Sequence, residues 1–330
     1  MSDIVFVPGR VNIIGEHTDY NDGLSLAFAV DRGVRIEVSN RSDRSTWLHL
    51  EGQEPYELGE PHVTNLSFKM ANAAWRRYPS HGVNLRVTSD LPEGAGMSSS
   101  AAYIGALCLA LGARGSVIEL ARLVQSIEAD VGSDVGLLDQ ITTLGGTNAA
   151  ALLIDFSQNQ FEPVTLPTHW AFTVVHSETS RVLAESGYAE RRRECEEVSR
   201  MLGSWANLTT AVLDGIPVHL RPRARHVLTE NQRVREFVDC TQVDDVQRAG
   251  QLLNESHASL RDDFAVSTPA MDSLVARTQA LPGVHGARMM GGGFGGCIIS
   301  LHDPEVPVAI EGHRTWSVRP SDGGLRRLLP

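Results

Sequence analysis

The chain has 330 residues, of which 42% are apolar, 21% charged and 6% aromatic. That length exceeds what one core usually organises, so two closely packed domains are expected, 1–170 and 171–330. A formal charge of −11 leaves no general basic face for nucleic acid or an anionic membrane, which points to small-molecule partners and to a monomer.

Ile4 to Val7 reads as a short strand, followed by a turn-rich, charged loop from Pro8 to Gly23. Leu24 to Val30 and Gly33 to Ser39 return to strand character, the second through the alternation of Val34, Ile36 and Val38. Tyr56 to Leu66 is loop-like, Phe68 to Arg77 helical, and Val83 to Val87 alternates again before a glycine-serine segment ending at Ser100. Ala101 to Leu111 is apolar nearly all round, as a fully buried helix would be. Ser116 with Glu119 three residues on has capping-box spacing, and Leu120, Leu123, Val124 and Ile127 give that helix one apolar stripe. Gly145 and Gly146 end a short helix, and Ala149 to Ile154 and Ala171 to Val175 read as strands. Arg181 to Leu281 is mostly helical, with Ser267 and Pro269 opening the last helix, and the chain closes with strands at Cys297–Leu301 and Thr315–Val318.

Asp3 and the Pro8-Gly9 pair interrupt the early apolar run, which argues against a secretory leader, and Ala101 to Ala113 is too short to cross a bilayer. Cys108, Cys195, Cys240 and Cys297 have neither metal-site nor disulfide-scaffold spacing and read as buried thiols of a cytoplasmic protein.

Three segments carry chemistry. Pro8 to Gly23 crowds Arg10, Asn12, Glu16, His17, Asp19, Asn21 and Asp22 into one stretch, and such paired donors and acceptors suit a polyhydroxy ligand better than mere solvation does. Leu91 to Ala102, L-P-E-G-A-G-M-S-S-S-A-A, places Gly94 and Gly96 before serines at a helix start, where free amides and the helix dipole favour a phosphate. A serine cap after a glycine turn is the plain structural alternative, and the Gly-Lys-Ser/Thr ending of a Walker A loop is absent. Met289 to Cys297 holds five glycines in six residues, which implies a tight loop with close backbone contacts.

In this order and at these separations the three segments resemble the signature motifs of the GHMP small-molecule kinases, and the first resembles the galactokinase signature G-R-V-N-L-I-G-E-H-T-D-Y-N-x-G. The similarity continues through G-L-L-D-Q at Gly136–Gln140, R-R-R-E-C-E-E at Arg191–Glu197, R-A-R-H-V at Arg223–Val227 and E-S-H-A-S-L-R-D-D-F at Glu255–Phe264. The resemblance implies an α+β fold in two domains, an N-terminal one of the ribosomal-protein-S5 second-domain type and a C-terminal ferredoxin-like one, with the site between them. It also implies ATP as phosphate donor, Mg²⁺, and transfer to the anomeric hydroxyl of galactose or a related sugar such as an N-acetylated or uronic derivative.

Residue by residue, Asp139 matches the catalytic carboxylate and Arg10 its partner, while Glu16, His17, Asp19, Gly136 and Tyr188 match sugar-binding positions. Gly94, Ala95, Gly96, Ser98, Ser99 and Ser100 match the phosphate loop, with Ser100 and Glu128 as Mg²⁺ ligands, although Glu128 stands one residue closer to Asp139 than the family spacing. Asn40 to Leu66, where the family builds much of its adenine pocket, is shortened, and Met290 replaces the usual threonine beside the last glycine cluster. A catalytically silent sugar-and-nucleotide sensor is the alternative class, and intact Asp139, Arg10 and Ser100 weigh against it.

Overall fold

The first ordering element is a long antiparallel pair. In a computed structural model that describes residues 3–60, 63–79, 82–133, 135–179 and 184–325, β1 (Asp3–Ile14) pairs with β2 (Leu24–Asn40) along most of its length. The register shifts between Pro8 and Arg10 and again between Asn12 and Ile14. The expected loop from Pro8 is therefore strand as far as Ile14, because a bulge at Gly9 absorbs the Pro-Gly pair without ending the ladder. Arg10 and Asn12 consequently stand on rigid backbone, and only residues 15–23 form the turn-rich loop.

β3 (Thr46–Leu50), β4 (Tyr56–Glu57), α1 (Leu66–Arg77) and β5 (Val83–Ser89) follow. Next come α2 (Ser99–Ala110), α3 (Val117–Asp130), α4 (Leu138–Gly145), β6 (Ala150–Asp155) and β7 (Gln160–Thr165). β2 to β7 form one sheet in the order β4-β3-β5-β2-β6-β7, with β1 added on β2. The capping box at α3 is present with both of its hydrogen bonds. The helix expected from Ala101 begins at Ser99, so two of the serines belong to its first turn. Its residues from Ala101 to Leu109 are all buried, between β1 and β2 on one side and α1, α3 and α4 on the other.

A second sheet, ordered β11-β8-β10-β9, uses β8 (Ala171–His176), β9 (Val284–Met290), β10 (Cys297–His302) and β11 (Thr315–Val318). The intervening helices are α5 (Ala184–Leu202), α6 (Arg221–Val243), α7 (Val246–Asp262) and α8 (Pro269–Gln279), the last capped by Thr268 rather than Ser267. β3, β7 and β9 are strands that the residue pattern did not announce.

One apolar cluster joins the two sheets: Val11, Ile13 and Phe28 from the first pack with Phe172, Val174 and Ile299 from the second and with Phe237 of α6. Burial of this shared core fixes the two halves against each other, so a cleft at its edge has stiff walls. The last described residues return to the first half, where Gly323 N donates to Gly146 O and Gly324 N to Thr143 O, each at 2.9 Å. All four cysteines are buried thiols, and no helix among the described residues is long and apolar enough to cross a membrane.

Candidate active site

The bulge at Gly9 decides where Arg10 goes. A Cβ there would meet Met97 O at 2.5 Å, so only glycine lets β1 run this close to the glycine-serine loop. Arg10 N then donates to Met97 O at 3.0 Å and its Nη1 donates to Gly96 O. The same guanidinium reaches α4, with Nε 2.7 Å and Nη2 2.6 Å from Asp139 Oδ1. Asp139 lies in the first turn of α4, where the helix dipole favours a carboxylate, and its Oδ2 accepts from the Ser98 hydroxyl. Three segments far apart in the chain thus converge on one carboxylate.

Ser98 adopts a left-handed conformation (φ 58°) and caps α2 without using its side chain, which leaves the hydroxyl for Asp139. Behind it, Ser100 Oγ donates to Glu128 Oε1 at 2.8 Å, and the Gln140 amide donates to Glu128 Oε2. Glu128 is 2% exposed, and burial pushes its carboxyl up to about 7.

The loop after β1 forms the opposite wall. Gly15 N donates to Glu230 Oε1 at 3.0 Å, Leu24 N donates to Asn231 Oδ1 at 2.8 Å, and His226 Nε2 lies 3.1 Å from Glu16 O. α6 therefore supports the loop and the start of β2 at three points. Burial works upward on Glu230, yet Arg233, His226 and Arg288 together bring it down to about 2. From β9, the fully buried Arg288 donates to Asn12 O at 2.7 Å, Ile13 O at 2.5 Å and Met289 O at 2.8 Å, and its Nη2 is 3.2 Å from Glu16 Oε1. Gly291 N donates to that same oxygen at 2.7 Å, which ties the third glycine cluster to the first motif.

His17 also has a left-handed backbone (φ 61°). Its Nδ1 shares a 2.7 Å hydrogen bond with the Tyr20 hydroxyl, and its ring lies against Phe264 and Tyr188. Burial lowers it to about 3, so the imidazole is neutral, and its buried Nε2 has no hydrogen-bond partner among the described residues. Asp19 is pushed up to about 7 by burial and by the nearby carboxylates of Asp139 and Glu16. Its carboxylate presses on Gly136, where any Cβ would fall 1.7 Å from Oδ2. Unpartnered polar atoms facing a cleft are what a hydroxyl-rich ligand would satisfy.

These groups surround one cavity of about 570 Å³. Arg10, Glu16, His17, Asp19, Gly94, Ala95, Gly96, Ser98, Ser99, Ser100, Gly136, Asp139 and Tyr188 all line it, together with Gly291, Gly292 and Gly296. Glu128 alone of the expected residues does not, reaching the cavity through Ser100. Ser99 and Ser100 also border a second cleft of about 390 Å³ with apolar walls from Leu50, Leu66, Met70, Val87 and Tyr103. The Asn40–Leu66 segment tied to an adenine pocket supplies Leu50 and Leu66 of that cleft, while sequence reasoning missed its other walls along with Arg288, Gln140, His226 and Glu230. A detectable signal existed for Arg288, a single arginine inside the otherwise uncharged strand that enters the glycine cluster.

A family model described as the galactokinase galactose-binding signature matches residues 2–40, one for the GHMP kinase N-terminal domain matches 65–147, and one for the GHMP kinase C-terminal region matches 237–311. A galactokinase of Roseiflexus sp. is 37% identical over 90% of this chain and 83% of its own length. One of Mycobacterium tuberculosis is 40% identical over 89% and 87%. The crystal structure of Lactococcus lactis galactokinase complexed with galactose superposes with a TM-score of 0.85 at 28% identity, covering 98% of this chain and 94% of that one. Methanococcus jannaschii mevalonate kinase, at 18% identity and a TM-score of 0.71, shares the fold. The chain belongs to the galactokinase family of GHMP kinases.

Proposed function

We infer that the protein transfers the γ-phosphate of ATP to the anomeric hydroxyl of galactose, giving galactose 1-phosphate and ADP. The observation that carries this is the junction of Arg10, Ser98 and Asp139 between the hydroxyl-binding loop and the start of α2. Galactose would lie against Glu16, His17, Asp19, Gly136 and Tyr188, with its anomeric oxygen towards Asp139. The polyphosphate would follow Gly94 to Ser100 at the N-terminus of α2, and the base would enter the apolar cleft beyond Ser99.

In the transfer, the anomeric O–H proton passes to the Asp139 carboxylate as its oxygen bonds to the γ-phosphorus. The bond from that phosphorus to the β–γ bridging oxygen breaks, and ADP leaves. Arg10 orients Asp139 through its ion pair, and the same cation faces the phosphoryl charge as it develops. A base so positioned contributes about 10²- to 10⁴-fold.

Ser100 and Glu128 fit Mg²⁺: they supply hard oxygens, one on the cavity wall and one buried carboxylate that a cation would hold ionised. Among the described residues no cluster of three His, Cys, Asp or Glu side chains could hold a metal, which suits an ion completed by phosphate oxygens and water. When bound, it supplies charge neutralisation on the polyphosphate.

A coupled ADP-release assay over a panel of free sugars tests the reading, with galactose expected to give the highest kcat/KM. Turnover confined to an N-acetylated or uronic sugar would reassign the acceptor. Absence of turnover with every sugar would mark a sensor.

A further inference from the structure

His176 ends β8 at the rim of the cavity, outside all three motifs, with only 8% of the residue exposed. One edge of its ring is fully engaged. Glu178 N donates to Nδ1 at 3.0 Å, and Arg314 Nη2 donates to the same atom at 3.2 Å. Amide and guanidinium groups only donate, so Nδ1 is an acceptor and the ring proton stands on Nε2. Glu178 Oε1 also lies 3.2 Å from Nδ1. That oxygen already accepts from Arg314 Nε at 2.9 Å, and a proton on Nδ1 would face both donors, so the Nε2–H tautomer prevails. The backbone is held as well, with His176 N donating to Arg314 O at 2.9 Å and its carbonyl 2.8 Å from His313 Nδ1. Trp316 packs edge-on against the ring.

The other edge faces the glycine loop. Nε2 is 3.1 Å from the place a Cβ on Gly94 would occupy, and Gly94 has a φ of +74°. Among the described residues Nε2–H meets no protein acceptor. A donor whose orientation is already fixed loses little entropy on meeting a ligand, and the cavity it borders is the one containing the phosphate loop.

We propose that His176 is a nucleotide-binding residue whose Nε2–H donates to a phosphate oxygen of ATP where the polyphosphate passes Gly94. The proposal rests on the glycine-serine loop being the phosphate cradle. His176 thereby adds a directed donor from the C-terminal half to the wall formed by that loop.

Two substitutions separate this role from a structural one. His176→Asn retains an acceptor at the δ position for Glu178 N but is too short to place a donor at the ε position. His176→Gln places an amide N–H at that reach. Steady-state kinetics on the full chain should show His176→Asn raising the ATP KM by about 10-fold, the value of one hydrogen bond to a charged group. The galactose KM should stay unchanged, and His176→Gln should recover most of the loss. Ser100→Ala, assayed beside them, should raise the ATP KM whatever stands at 176.

If Ser100→Ala raises the ATP KM and His176→Asn does not, the assignment of His176 is wrong and the cradle stands. If neither does, the cradle and the proposal fall together. A rise in galactose KM alone for His176→Asn would place the residue with the sugar and overturn it.

Discussion

Replacing Arg288 by methionine should cost the protein about 6 kcal/mol and loosen galactose far more than ATP. The arginine is fully buried, and its guanidinium serves three backbone carbonyls, those of Asn12, Ile13 and Met289, beside Glu16. Each buried acceptor left without a donor costs about 1–3 kcal/mol, and breaking a buried ion pair about 3–5 kcal/mol. Methionine fills much of the aliphatic volume, and Gly291 N still donates to Glu16, so the sum falls near the lower part of that range. At about 2–4 °C per kcal/mol, the melting temperature should drop by roughly 12–24 °C. Glu16 is 4% exposed, so much of the cost is a carboxylate stranded without its cation. Adding Glu16→Gln to Arg288→Met should therefore return about 1–3 kcal/mol as coupling energy. Thermal melts of the four proteins in that cycle, with KM values for both substrates, read the effect directly. Equal stability of Arg288→Met and wild type, or strict additivity of the two changes, would refute the reasoning.

Asp139→Asn should lower kcat by about 10²- to 10⁴-fold while galactose binding by calorimetry persists; a near-normal rate would remove Asp139 from proton transfer. Gly136→Ala must displace the Asp19 carboxylate, since the new Cβ would stand 1.7 Å from Oδ2. At about 1–3 kcal/mol for overpacking it should raise the galactose KM by roughly 5- to 150-fold with the ATP KM unmoved, and an unchanged galactose KM would show that Asp19 is not in the sugar site. Glu128, raised to about 7 by burial, must lose its proton to hold a cation. Apparent Mg²⁺ affinity should therefore weaken about tenfold per pH unit below pH 7 and level off above it, a slope that Glu128→Gln should abolish.

The same carboxylates set a stability window. Asp19 and Glu128 have folded values near 7, above their unfolded 3.8 and 4.5. The neutral form is thus favoured in the fold, and the stabilisation from it is complete below about pH 4 and lost as the pH rises towards 7. His17 runs the other way, from 6.5 down to about 3, so its contribution is present above 6.5 and disappears as the pH falls through that interval. With ligand absent, chemical denaturation at pH 8 and pH 6 should show Asp19→Asn closing part of the stability difference that those two carboxyls create, and no change in that difference would exclude Asp19 as its source.

How much of this site was legible in the sequence depended on whether a residue works through local spacing or through a distant partner. Glycine runs, the acid-rich loop and the serines at a helix start announce themselves within a few positions, because close backbone approach and helix N-termini have local signatures. The capping box of α3 was readable for the same reason. Arg10 was singled out but misplaced in a loop, since a Pro-Gly pair signals a turn and only the β2 partner strand shows it to be a bulge. β7 and β9 pair with the adjacent β6 and β10 through short turns, yet their residues alternate poorly and leave no strand pattern, while β3 is a five-residue strand whose parallel partner β5 lies beyond α1. Arg288, Glu230 and His226 could not be assigned work at all, because each is defined by an acceptor or donor more than 200 positions away.

That pattern has a physical consequence for the architecture. The residues that would touch the sugar come mainly from the first half, yet their backbone is held by buried charged and polar groups of the second: Glu230 beneath Gly15, His226 beneath Glu16, and Arg288 across Asn12, Ile13 and Glu16. A buried ion or polar group costs too much to leave unpaired, so each of these contacts is satisfied only in one docking of the halves. The apolar core between the sheets makes the association favourable, but apolar surfaces tolerate sliding. The polar struts remove that freedom. Catalytic geometry here therefore depends on the register of the two halves, and substitutions at Glu230 or Arg288 should damage turnover in proportion to how far they let the loop at 15–23 shift relative to Asp139.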